Sequence, residues 1–150
     1  MTKLTRRQFV IVGGSALGVA AFGFGPAQAK GNGYDEYISK FTGGKSAAEG
    51  KLTIDMPEIA ENGNTVPLTI NVDSPMTTDN YVKRVMVVAD GNPSPTVGTF
   101  HFTPSSGTAD VSTRIRLAKT QNVHAVAEMS DGSFYTAKRE VKVTIGGCGG

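Results

Sequence analysis

Apolar and polar residues alternate along most of the chain after residue 51, which is the pattern of β-strands that bury one face. The clearest segment is ADVSTRIRLAK, in which Val111, Ile115 and Leu117 face one way and Arg114 and Arg116 face the other. The runs of this kind are KLTIDMPEIA, TVPLTINVDS, YVKRVMVVAD, TVGTFHFTP, ADVSTRIRLAK, NVHAVAEMS and SFYTAKREVKVTI. The pattern therefore predicts an all-β fold of about seven strands.

Short stretches rich in turn-forming residues separate these runs, and they are ENGN, DSPMTTDN, DGNPSP and PSSG. Asp131-Gly132 joins the last two runs, and Asp-Gly between alternating segments is a strong signal for a β-hairpin. A single open sheet would leave an apolar face in water, whereas two sheets packed face to face bury it. We therefore expect an immunoglobulin-like β-sandwich over residues 52–145, with a closed barrel as the structural alternative.

Residues 30–51 lack the strict alternation and form a predicted N-terminal helical extension. The segment YDEYISKFTGG places Tyr34, Ile38 and Phe41 on one side of a short helix. The two glycines that follow are typical of a helix end. The sequence thus predicts a helix that packs its apolar side against another part of the protein.

Residues 1–29 have the organisation of an export signal. Lys3, Arg6 and Arg7 give a basic start, an apolar run covers residues 10–24, and AQA ends the segment with small residues suited to signal peptidase. The segment TRRQF is similar to the twin-arginine signature. We predict export by the twin-arginine pathway, cleavage after this segment, a periplasmic location and no stable membrane anchor. An uncleaved N-terminal anchor is the alternative.

Removal of this segment changes the net charge. The whole chain carries +2, but three of its 15 basic residues lie in the signal, so 12 basic residues face 13 acidic residues in the remainder. A near-neutral surface of mixed charge argues against nucleic acid as a partner. Proteins of the twin-arginine pathway travel folded, and some carry a partner that has no signal of its own. We therefore expect a co-exported partner.

The one cysteine, Cys148, stands third from the end of the chain in the sequence GGCGG. Its neighbours on both sides are Gly146, Gly147, Gly149 and Gly150. The chain has no second thiol for an internal disulfide, and an odd cysteine in an exported protein indicates intermolecular pairing or a working thiol. Glycines cost much backbone entropy to order, so we expect residues 146–150 to form a mobile arm. Such an arm can carry the thiol about 10 Å from the last strand.

The arm contains no base, positive charge or helix N-terminus that would activate its thiol as a nucleophile. This favours a residue that carries a group over one that transforms it. Lipid attachment is disfavoured because Cys148 is neither fourth from the end nor directly behind the signal.

Two other sets of residues have side chains that could bind a metal or an anion. His101 and His124 occupy polar positions of strands and belong to no cluster with Cys or Met, so we predict no metal and no cofactor. Arg114 and Arg116 form an outward basic pair, which we interpret as a solvated face or a contact for a partner.

The ending KVTIGGCGG resembles that of the SoxY family, sulfur carriers of thiosulfate-oxidising bacteria whose hallmark is a C-terminal Gly-Gly-Cys-Gly-Gly arm. The resemblance extends to the twin-arginine signal and to PEIAENGNTVPLTI, VADGNPSP and STRIRLAKTQNVHAVAEMSDG. It implies an immunoglobulin-type sandwich that pairs with a SoxZ-like small subunit. It also implies that Cys148 is the covalent attachment point for sulfur.

The same resemblance implies a set of partner enzymes. The haem c enzyme SoxAX would join thiosulfate to Cys148, the manganese hydrolase SoxB would release sulfate, and the sulfane dehydrogenase SoxCD would oxidise the remaining sulfur. The haems and metals belong to those partners. Two other functions stay open beside the carrier: an exported adaptor that uses Cys148 for an interprotein disulfide, and an enzyme with a thiol nucleophile, which the unactivated arm disfavours.

Overall fold

The computed structural model describes residues 32–148. The predictions for residues 1–29, including Arg6 and Arg7, and for Gly149 and Gly150 lie outside the described residues. Within the described range the chain forms one α-helix, one short 3-10 helix and eight β-strands. Their bounds are α1 Tyr34–Thr42, β1 Leu52–Asp55, β2 Ile59–Asn62, β3 Val66–Val72, β4 Val82–Ala89, β5 Thr96–His101, the 3-10 helix Pro104–Ser106, β6 Asp110–Ile115, β7 Gln121–Met129 and β8 Phe134–Ile145.

The strands form two sheets with a shared apolar core. One sheet has three strands in the order β1-β3-β6, and the other has five strands in the order β2-β8-β7-β4-β5. Neighbouring strands are antiparallel except β2 and β8, which are parallel. The predicted β-sandwich is confirmed, and the closed barrel is wrong.

The run KLTIDMPEIA, which the alternation predicted as one strand, forms two. Its first half, β1, pairs with β3, and its second half, β2, pairs with β8 in the other sheet. Pro57 lies in the break and has no N–H for a ladder hydrogen bond. Met56 turns into the core beside it. The sandwich therefore has eight strands instead of about seven, and β2 lies beside the strand that leads to Cys148.

The alternation defines the core as predicted. The inward side chains of β3 are almost fully buried, and they are Val66, Leu68, Ile70 and Val72. After β3, the same pattern holds in β6 and the residues behind it, where Ile115 and Leu117 are buried and Arg114 and Arg116 are exposed. Each fully buried aliphatic side chain stabilises the fold by about 1.5–3 kcal/mol. The core can therefore hold the sandwich together without a disulfide.

Helix α1 covers the outer face of the five-stranded sheet. Phe41 packs there in a cluster with Met86, Val88, Val126 and Phe134. Because of this cover, β4 buries residues on both faces over 85–89, which explains the weak alternation of its sequence. Gly43 ends the helix with a φ of 62°, a left-handed conformation that glycine adopts without a steric penalty. The predicted helix and its apolar side are confirmed.

The hairpin between β7 and β8 is also confirmed. Gly132 has a φ of 81°, and the N–H of Met129 donates to the carbonyl of Ser133 across the turn. The hydroxyl and the N–H of Ser133 donate to the Asp131 carboxylate, and these hydrogen bonds lower the pKa of Asp131. Residues 32–148 include no helix of the length and apolarity needed to cross a membrane.

Candidate functional site

Cys148 lies just beyond the end of β8 and is exposed to solvent. Gly146 and Gly147 connect it to Ile145, the last residue of the strand. Ile145 is itself 66% exposed, and Gly147 is buried against the domain before the chain reaches the exposed Cys148. The thiol therefore lies outside the sandwich, where a small molecule or another protein can reach it.

Two hydrogen bonds attach the beginning of the arm to the domain. The N–H of Gly147 donates to the carbonyl of Leu117 at 2.8 Å. The N–H of Cys148 donates to the side-chain Oδ1 of Asn64 at 3.1 Å. The backbone of Cys148 is thus held at its nitrogen, while its side chain stays exposed.

Gly63 is the residue against which the arm packs. Its N–H donates to Ile145 at 2.7 Å, and its carbonyl accepts from the N–H of Leu117 at 2.8 Å. A Cβ on Gly63 would lie 2.2 Å from the Leu117 carbonyl oxygen and 2.6 Å from the Gly147 nitrogen. A Cβ on Gly147 would in turn lie 2.6 Å from the Gly63 carbonyl oxygen. Two glycines therefore allow the backbones to meet at a distance that no side chain permits.

The mobility of the arm stays a prediction, and these contacts define what motion requires. An arm that swings from Gly146 must break the hydrogen bonds to Leu117 and Asn64 first. The composition of ENGN predicts a turn but does not predict the roles of Gly63 and Asn64. The Asn-Gly-Asn motif signals a turn, but no feature of a single sequence links that turn to an arm 84 residues further on.

The segment 116–118 lies between the arm and a buried polar residue. Leu117 uses its N–H and carbonyl on the arm side, as described above. On the opposite edge, Asn92 donates to the carbonyl of Arg116 and accepts from the N–H of Ala118, both at 2.9 Å. Asn92 is only 3% exposed and also accepts from Gln121 at 2.8 Å. Hydrogen bonds therefore fix this segment on both edges, and the arm packs against a well-ordered part of the backbone.

A comparison with protein-family models decides the family of the chain. The model described as sulfur oxidation protein SoxY matches residues 38–148, a range that includes Cys148. The chain belongs to the SoxY family. The resemblance seen in the C-terminal arm is thereby confirmed.

A solved SoxY structure matches most of the chain. The sulfur carrier protein SoxY from Chlorobium limicola f thiosulfatophilum is 36% identical to this SoxY-family chain, with a TM-score of 0.63. The match covers 75% of this chain and 96% of that chain. A search of the curated proteins found no match.

Superoxide reductases share the fold of this SoxY-family chain at lower identity. The neelaredoxin from Ignicoccus hospitalis is 19% identical with a TM-score of 0.56, and covers 63% of this chain and 80% of that chain. A putative superoxide reductase from Thermotoga maritima is also 19% identical, with a TM-score of 0.53. That match covers 69% of this chain and 89% of that chain. These similarities show the fold alone.

The two histidines of this SoxY-family chain are far apart in the sheet. His101 pairs with Arg84 on one side of β4, and His124 pairs with Val88 on the other side. Four residues of an extended strand separate the two levels by about 13 Å, so the rings cannot share an ion. Within residues 32–148, no group of three or more His, Cys, Asp and Glu side chains could hold a metal.

His124 instead links the sheet to helix α1 through contacts with Asp90 and Tyr34. Its Nε2 lies 3.2 Å from Oδ2 of Asp90, and its ring stacks on Tyr34 of α1 with centroids 4.9 Å apart. Burial raises the pKa of Asp90, but hydrogen bonds from Asn122 and His124 outweigh burial and leave that pKa below its ordinary value. Burial also raises the pKa of the Tyr34 hydroxyl. This group therefore fastens the start of the helix to the sheet.

Proposed function

We propose that this protein carries sulfur intermediates of thiosulfate oxidation as covalent adducts on Cys148 and presents them to separate enzymes. The observation that carries the proposal is an exposed thiol, the chain's one cysteine, on a glycine arm that leaves the end of β8. The SoxY family match includes this residue, and the matched Chlorobium protein is described as a sulfur carrier.

The loading step joins the outer sulfur of thiosulfate to Sγ of Cys148. The thiol loses its proton, a new S–S bond forms, and two electrons leave to an oxidant: RSH + S₂O₃²⁻ → RS–S–SO₃⁻ + H⁺ + 2e⁻. In the second step water cleaves the bond to the terminal sulfur atom: RS–S–SO₃⁻ + H₂O → RS–S⁻ + SO₄²⁻ + 2H⁺. The arm offers no group to catalyse either step, so partner enzymes supply the catalysis.

The resemblance to the SoxY family implies partners of four kinds for this function. A haem c enzyme of the SoxAX type accepts the electrons of loading, and a manganese hydrolase of the SoxB type releases sulfate. A sulfane dehydrogenase of the SoxCD type oxidises the sulfur that remains. A SoxZ-like small subunit forms the stable heterodimer. Tethering keeps the intermediate at a high effective concentration near each enzyme and prevents its loss by diffusion.

The proposed location is the periplasm. Arg6 and Arg7 in TRRQF would direct the folded chain, with its small subunit, through the twin-arginine pathway. Replacement of both arginines by lysine should leave the precursor in the cytoplasm, as cell fractionation would show. Export of the double variant at the normal rate would contradict the assignment.

Intact-protein mass spectrometry tests the carrier function. The chain is incubated with thiosulfate and the SoxAX-type enzyme, and we expect a thiosulfonate adduct that is absent in Cys148→Ser. Addition of the SoxB-type hydrolase should convert this adduct into a persulfide. A disulfide-linked partner in place of both adducts would support the adaptor function instead, and turnover of thiosulfate by this chain alone would support an enzyme.

A further inference from the structure

A cavity of about 250 Å³ opens at the edge of the sandwich between β5 and β6. These are the outer strands of the two sheets, so the opening faces solvent. Its polar lining comes from Asn92, Ser94, Thr96, Arg114 and Arg116. Val97 and Ile115 add an apolar side.

The cavity is positively charged. Arg114 and Arg116 are both exposed, and its lining includes no carboxylate. Within residues 32–148, neither guanidinium forms a salt bridge. An exposed pair of basic side chains is often no more than a solvated face, but a cleft lined by charges of one sign raises the local concentration of the opposite ion.

A second cavity on the same molecule provides the contrast. It measures about 320 Å³ and also has two basic residues, Arg139 and Lys142. Glu58 and Glu140 line it as well, and the Lys142 amine lies 4.0 Å from the Glu58 carboxylate. The cavity at Arg114 and Arg116 thus differs from an ordinary mixed surface in having only positive charge.

The neutral residues of the first cavity are suited to an oxyanion. Ser94 and Thr96 are exposed, and within the described part of the chain their hydroxyls make no hydrogen bond, so each can donate to a bound oxygen. Asn92 fixes the surrounding backbone through its bonds to Arg116 and Ala118. Guanidinium groups bind planar sets of oxygens with paired hydrogen bonds, and such charge-assisted bonds are the strong ones.

The cavity lies next to the base of the arm. The segment 116–118 separates the two: Leu117 binds Gly147 on one edge, and Asn92 binds Arg116 and Ala118 on the other. The side chain of Arg116 extends outward from this segment, because that of Leu117 is buried in the core. A thiosulfonate on Cys148 adds two S–S bonds of about 2.05 Å each to the reach of the thiol.

We propose that this cavity is a binding site for the sulfonate group of a sulfur oxyanion, with Arg114, Arg116, Ser94 and Thr96 as donors. The inference rests on the proposed carrier function for the nature of the anion. Two species present such a negatively charged SO₃ group: a thiosulfonate tethered to Cys148 and free thiosulfate. When the tethered group binds, the loaded arm folds back on the domain until a partner enzyme removes it from the arginines.

Binding of the thiosulfonate that is tethered to Cys148 can be tested without any partner enzyme. Tetrathionate loads the thiolate directly: RS⁻ + S₄O₆²⁻ → RS–S–SO₃⁻ + S₂O₃²⁻. A matched control carries a neutral methyl disulfide at Cys148. In ¹H–¹⁵N NMR spectra of the full chain, we expect the Nε–H signals of Arg114 and Arg116 to shift in the thiosulfonate form and to stay in place in the methyl disulfide form.

Binding of free thiosulfate is tested by titration of the methyl disulfide form with this anion. We expect the same arginine signals to shift with saturation, and Arg116→Gln should weaken this binding by about threefold to tenfold, the effect of a partly exposed charge-assisted hydrogen bond. Arg139→Gln removes one positive charge from the second cavity and should leave binding unchanged. Rising sodium chloride should weaken the shifts in both tests, since the charges are exposed to screening.

The outcomes separate the sources. Shifts in the tethered form alone identify the loaded arm as the ligand, and shifts with free thiosulfate alone identify the anion in solution. An absence of shifts in both tests overturns the proposal, and so does an equal loss in Arg139→Gln. The carrier function is judged separately, by mass spectrometry of enzymatic loading, so either idea can fail while the other stands.

Discussion

The side-chain oxygen of Asn64 accepts a hydrogen bond from the backbone N–H of Cys148 at 3.1 Å. This bond joins the β2–β3 turn to the residue that bears the thiol, across 84 positions of sequence. It acts on the backbone and leaves Sγ exposed. The arm can therefore be docked and chemically accessible at the same time.

Asn64→Ala should loosen the arm without harm to the fold. A neutral hydrogen bond contributes about 0.5–1.5 kcal/mol, so we expect amide hydrogen exchange at Cys148 to accelerate by about twofold to tenfold. Exchange in the core strands should not change. Asn80→Ala, in the exposed turn before β4, is the matched control and should leave the exchange rate of Cys148 as it is. Equal exchange rates in Asn64→Ala and the parent chain would contradict the docking role.

Gly63→Ala should destabilise the domain because its Cβ would lie 2.2 Å from a backbone oxygen. Relief of this overlap requires β2, the segment at Leu117 or the arm to move. We expect the free energy of unfolding in urea to fall by about 1–3 kcal/mol. Gly98→Ala in β5 is the control, since the nearest heavy atom to a Cβ there is 3.9 Å away. Similar stability of the two variants would show that the close contact at Gly63 is not needed.

Phe41→Ala should release the N-terminal helix from the sheet. Phe41 is 9% exposed, meets the ring of Phe134 edge-on and lies under the Arg84 guanidinium at 4.4 Å. Loss of a large buried aromatic costs about 3 kcal/mol or more in the free energy of unfolding. Tyr37→Ala on the same helix removes a ring that is 44% exposed, and should cost about 0.5 kcal/mol or less. Chemical unfolding followed by circular dichroism measures both, and equal losses would show that α1 is not held by this cluster.

Stability should fall in acid partly because of Glu128. Burial raises the pKa of this carboxyl, but hydrogen bonds from Arg84 and Lys83 outweigh burial and bring the pKa below its ordinary value. A lowered pKa in the folded state means that the carboxylate stabilises the fold above the unfolded pKa of about 4.3. This contribution is lost as the pH falls from about 4.3 through the folded pKa.

Urea unfolding of Glu128→Gln tests this linkage. At pH 7 the variant should be less stable than the parent chain, and the difference should narrow as the pH falls below about 4.3. Glu140→Gln, at an exposed position of β8, should follow the parent chain at every pH. A constant difference between Glu128→Gln and the parent chain across this range would contradict the assignment.

The alternation of side chains predicted most of the fold, because burial of one strand face is a local property of the sequence. The alternation did not predict the break at Pro57, where one continuous run divides between two sheets. The strand that pairs with each half is set by the tertiary fold and not by the local sequence. In the candidate site, composition and position alone single out Cys148 and its glycines, and their role as a sulfur-carrying arm stays a prediction. Gly63 and Asn64 cannot be identified in this way, because their role depends on contacts that only the folded chain brings about. Arg114 and Arg116 are predicted as an outward basic pair, but the cavity that they line, which has no carboxylate in its lining, forms only where β5 and β6 meet in space.

The placement of β8 has a mechanical consequence. This strand runs between β7 and β2, and its last residues are also tied to Thr120, whose hydroxyl accepts the Val143 N–H at 2.9 Å. A force applied at Cys148 along the axis of β8 would load the ladders on both flanks in shear, so that many hydrogen bonds would resist it together. The sandwich is thus expected to resist such a force while the segment at Gly146 and Gly147 extends.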